Sequence, residues 1–146
     1  MKRFLMWTSA LLLVVAVGVA AQAKMTLEEH AKIMKANAQA VGPMNKAIAS
    51  GSYADARTQL ATLRTNFMTL QGMWASVKKD DAVAIVKDGL SRLDAIDKML
   101  AAATVDQMAV QGAVKEFQGA TCGACHKLYR EGDGKTTPYT FKAGVL

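Results

Sequence analysis

Apolar residues recur mostly at spacings of three and four along four successive stretches of this chain, and that period commits it to amphipathic helices. The first seam is Leu27, His30, Met34, Asn37, Val41, Met44 and Ile48, within 27–49. Thr26-Leu27-Glu28-Glu29 forms a capping box at its start, and Pro43 is expected to kink or split the helix near Gly42. The second seam, within 53–77, is Ala56, Leu60, Leu63, Phe67, Leu70, Trp74 and Val77, with Ser52 as its cap. The third, within 81–102, is Val83, Val86, Leu90, Leu93, Ile96 and Leu100, capped by Asp80. The fourth, within 105–130, is Val110, Val114, Phe117, Thr121 and Leu128, with a capping box at Thr104–Gln107 and a stop at Gly132-Asp133-Gly134.

Helices of roughly 22 residues are each about 33 Å long. Their connections are short, and none can bury its seam alone. The expected fold is all-α, an antiparallel up-down-up-down four-helix bundle. The abundance of Ala, Leu, Met and Lys agrees with this, as do only two prolines. The remainder, 131–146, has no helical period. It is expected to be irregular, with Tyr139 and Phe141 packing on the bundle.

Residues 1–23 are read apart from the fold. Lys2 and Arg3 precede an apolar stretch from Phe4 to Ala20, and Ala21-Gln22-Ala23 is a small-x-small cleavage site. That order is a secretory signal peptide. The competing reading, an uncleaved anchor, is disfavoured by the cleavage site and by a length near the lower limit for a span. The domain is then 24–146, exported to the periplasm. The leader holds two of the 18 Lys and Arg residues and none of the 12 Asp and Glu, leaving the domain at a formal +4. The basic residues are scattered without aromatic interleaving, which is no nucleic-acid signature. An acidic redox partner suits the charge.

Cys122-Gly123-Ala124-Cys125-His126 is the C-x-x-C-H of haem attachment. At about 100° per residue, the three side chains fall within an arc of about 100° on a helix face. Two thiols so placed suit thioethers to one haem c, and the adjacent imidazole suits its iron as the proximal ligand. Three other readings compete. A redox dithiol belongs to a βαβ setting, and no strands are visible here. A structural zinc site needs four ligands, and His30 is the only other histidine. A plain disulfide leaves His126 unexplained. No Ser-His, Cys-His or paired-carboxylate arrangement points to an enzyme.

Cys122 to Arg130 reads C-G-A-C-H-K-L-Y-R, which resembles the C-x-x-C-H-x-x-[Phe/Tyr]-Arg ending of the cytochrome c-prime family, the class II cytochromes c. The resemblance implies a secreted four-helix bundle with one covalent haem on its last helix. It also implies a candidate homodimer through the first two helices. The tail after Arg130 is longer than the family pattern. Nothing after His126 is Met, His or Cys, so the class I arrangement with a downstream methionine ligand is excluded.

The family divides at the iron's sixth position. A first-helix methionine gives a six-coordinate electron carrier, and an apolar side chain gives a five-coordinate protein that binds NO or CO. The family's first-helix Arg-x-x-x-[Leu/Met] is matched by His30-Ala31-Lys32-Ile33-Met34, with His in place of Arg. Met34 is thus the candidate distal ligand of an Fe(II)/Fe(III) carrier, since a thioether axial ligand raises the potential. Core packing is the competing role for Met34. Met44, His30 and an empty sixth site are the other readings. Arg130 shares a face with His126, either neutralising a haem propionate or favoured by the helix dipole. Tyr129, Phe67 and Trp74 are candidate pocket walls.

Overall fold

The computed structural model describes residues 26–145. The predicted leader at 1–23 lies outside them. The described chain is all-α apart from one short hairpin. It comprises α1 (Leu27–Ala49), α2 (Tyr53–Ser76), α3 (Asp80–Leu100), and a fourth helix made of α4 (Gln107–Phe117), a π-helical turn (Gln118–Gly123) and α5 (Ala124–Tyr129). Strands β1 (Arg130–Glu131) and β2 (Thr140–Phe141) pair antiparallel, Arg130 opposite Phe141 and Glu131 opposite Thr140. Among the described residues, no helix is long and apolar enough to cross a membrane.

The capping box of α1 forms in both directions. The Glu29 amide donates to Thr26 Oγ1 at 3.1 Å, and the Thr26 amide donates to Glu29 Oε2 at 3.2 Å. Thr26→Ala should therefore lower stability by about 1 kcal/mol. An unmoved denaturation midpoint would contradict that.

Three local expectations need correction. Of the kink or split expected at Pro43, the split does not occur: α1 is a single helix through it. Gly42 and Pro43 are exposed, so water can serve the carbonyl that Pro43 leaves without a donor. The third helix is preceded by Lys79 rather than capped by Asp80, which lies in its first turn. The fourth starts from Asp106, whose side chain accepts from the Ala109 amide at 3.0 Å, not from Thr104.

The core follows the seams with two displacements. On α3 the fully buried set is Ala82, Val86, Gly89, Leu93, Ile96 and Leu100, while Val83 and Leu90 are half-buried. Small residues sit at the seam's centre because the fourth helix comes very close there. A Cβ on Gly89 would lie 2.5 Å from Thr121 Cγ2 and 3.2 Å from the Phe67 ring. On the fourth helix Leu128 is 49 % exposed and Tyr129 takes its place in the core. The π turn explains this. Its i→i+5 bonding fits an extra residue into the turn, so the inward face moves one position along the sequence.

The tail is ordered rather than irregular. Asp133 Oδ1 accepts from the amides of Lys135, Thr136 and Thr137 at 2.8–2.9 Å. Gly132 and Gly134 have φ of 84° and 70°, a region that side chains disfavour. The Lys142 amide donates to Tyr129 O at 2.9 Å, folding the hairpin back onto the end of α5.

Candidate functional site

The inner face of α1 divides at its middle. Met44 and Ile48 are at most 1 % exposed, deep in the packed core. Leu27, His30, Met34, Asn37 and Val41 belong to the same seam, yet none is fully buried. All five line a cavity of about 870 Å³. Phe67, Leu70 and Trp74 of α2 and Val86 of α3 extend its wall. The opposite wall carries Cys122, Cys125, His126, Tyr129 and Arg130, and the hairpin contributes Tyr139, Thr140 and Phe141.

The main candidates for haem binding thus line one space: Cys122, Cys125, His126, Arg130 and Met34. Met44 does not; it is wholly buried elsewhere in the core. The π turn helps orient the motif. Cys122 lies within it, and Cys125 and His126 lie on the α-helical turn that follows.

Electrostatics favour the neutral forms of the imidazoles and thiols in this space. Burial lowers the His126 imidazole below its ordinary value, and the Arg130 charge adds to the effect. Burial, and then His126, lower His30 to about 4. The charge of His126 therefore reaches His30. Burial raises both thiols, and Cys125 reaches about 11 with further help from Cys122 and Asp81. The cysteines are not joined to each other.

His30 has a consequence for acid stability. Native His30 stays neutral down to about pH 4, whereas in the unfolded chain it takes up a proton near the ordinary 6.5. Between those values the unfolded state binds more protons. Stability is intact above pH 6.5 and falls as the pH drops towards 4. His30→Phe should flatten that limb of the stability curve in acid titration, and an unchanged slope would contradict the assignment.

Two buried hydroxyls on the motif-bearing helix, Thr121 Oγ1 and Tyr129 Oη, have no hydrogen-bond partner among the described residues. Each orphan costs about 1–3 kcal/mol. Burial and the nearby Asp81 carboxylate raise the Tyr129 phenol well above its ordinary range, although Asp81 falls short of hydrogen-bond geometry. Asp81 thus influences both Cys125 and Tyr129, a role that no feature of the sequence signalled.

The cavity is partly open to solvent, and its largely apolar wall suits an apolar occupant. Its volume lies within the roughly 300–1,000 Å³ of ligand sites. The donor set fits haem c: two thiols and a neutral imidazole on one wall, a thioether and a second neutral imidazole across from them.

No family model matches this chain, and no curated protein or solved structure matches it either.

Proposed function

We propose that this chain is an exported, periplasmic c-type cytochrome of the cytochrome c-prime kind. One haem c fills the cavity, and the protein carries one electron without turning over a substrate. The observation that carries this reading is that the C-x-x-C-H side chains and the hollow half of the α1 seam line the same apolar cavity. An up-down-up-down bundle is supported by the crossed register of α2 and α3. Arg57 pairs with Asp97 at 2.8 Å, and Arg64 further along pairs with the earlier Asp94 at 2.7 Å.

The haem iron, when bound, supplies the Fe(II)/Fe(III) couple. The chain's residues do the rest. Cys122 and Cys125 would hold the haem through thioethers, each thiol S–H adding across one vinyl C=C with no net oxidation. His126 offers a nitrogen lone pair, because burial keeps it neutral. Met34 offers its sulfur from the opposite wall. Phe67, Leu70 and Trp74 exclude water, which stabilises the less charged state of the centre. Arg130 carries a fixed positive charge at the rim, suited to a propionate.

The sixth position is tested by spectroscopy with added CO. The purified protein should be low-spin and unmoved by CO, and Met34→Ala should become high-spin and CO-responsive. A wild-type protein that is high-spin and shifts with CO would overturn the carrier reading in favour of NO or CO binding. An unchanged spectrum in Met34→Ala would remove Met34 as ligand.

A further inference from the structure

The hairpin packs on the seams of α1 and α2 through Phe141 and also forms part of the cavity wall. Its tip is stiffened by the Asp133 cage, and a Cβ at Gly134 would lie 2.6 Å from the Tyr139 ring. Its base is tied at three further points. Lys142 Nζ donates to Lys127 O at 2.7 Å, Lys79 Nζ donates to Gly144 O at 2.9 Å, and Val145 is buried. The Arg130 guanidinium lies 4.1 Å from the Tyr139 ring centroid, a cation–π contact along the same rim. From this anchored frame Phe141 reaches across to the opposite wall. Its ring centroid is 4.7 Å from that of His30 on α1 and 5.7 Å from that of Trp74 on α2.

We propose that Phe141 is a specificity-determining residue: it seals the cavity between α1 and α5 and restricts which external ligands reach the metal. The proposal rests on the haem reading above. The ring packs on His30, one helical turn from Met34, on the side where an incoming ligand must arrive if His126 holds the other side. Because the hairpin is tied to α5 and Phe141 packs on α1 and α2, the seal opens only when those aromatic contacts break. A diatomic gas needs a small fluctuation. A ligand of imidazole size needs the ring displaced.

Stopped-flow binding of imidazole and of CO tests this in a Met34→Ala background, where the sixth position is open. Adding Phe141→Ala should speed imidazole association about tenfold, the rate equivalent of about 1.4 kcal/mol of lost contact, and CO association by less. Phe141→Leu should stay near the parent rate. Imidazole rates within about twofold across the set, at equal haem content, would overturn the proposal. If the purified chain carried no covalent haem, the haem reading would fail separately. The seal would still be measured by hydrogen–deuterium exchange of the full-length protein. Phe141→Ala should speed exchange over 27–41, and unchanged exchange there would overturn it.

Discussion

Gly89→Val is expected to destabilise this protein by about 3 kcal/mol, the upper end of the overpacking range, and to lower the yield of haem-loaded protein with it. A Cβ alone meets Thr121 Cγ2 at 2.5 Å and the Phe67 ring at 3.2 Å, and all three residues are buried. Ordinary helix propensity predicts the opposite sign, since replacing a mid-helix glycine gains up to about 1 kcal/mol. Contact strain outweighs that gain here, because Thr121 is short, branched and fully enclosed, with no room to swing away. It also precedes Cys122 directly, so displacing it shifts the proposed attachment site. Gly89→Ala should show a smaller loss, and adding Thr121→Ser, which removes the clashing methyl, should recover most of it. A wild-type denaturation midpoint for Gly89→Val would contradict the close approach of α3 and the fourth helix.

The second large effect is expected from Cys122→Ser with Cys125→Ser. Covalent haem should vanish, and any residual pigment should be extractable by acidified organic solvent. Without a retained occupant the cavity becomes wet or collapses, and the stabilisation due to a tightly held ligand, about 3 kcal/mol or more, is lost. For a domain of this size that is a fall of roughly 10–20 °C in Tm. A double variant that kept both its haem and its melting temperature would show that the thiols are not the tether.

The helices were legible because each seam repeats over several turns. The bounds of α1 coincide with its period, and six of the seven seam positions named on α2 are buried. What the period could not convey was phase. A π turn leaves no mark in spacing when its inner residues are Thr121 and Cys122, and the burial of Tyr129 instead of Leu128 follows from it. Nor does a hydropathy pattern weight Gly89 or Ala82 as seam residues, since their contribution is the close approach they permit. The site was legible as a motif and not as a space. His30 and Met34 read as candidate iron ligands as well as seam residues, Val41 as a seam residue alone, and only three-dimensional packing reveals that this part of the seam faces a cavity. The hairpin was the least legible element, because its order comes from one carboxylate and two left-handed glycines rather than from a repeat.

The most direct measurement is the intact mass of the purified protein, exported by a host competent in cytochrome c maturation and compared with the mass calculated for its polypeptide. A gain of one haem, retained under denaturing conditions and mapped to the peptide containing Cys122 and Cys125, is the predicted result. A polypeptide of unmodified mass, or one lighter by two hydrogens because its sulfurs have joined, would contradict it.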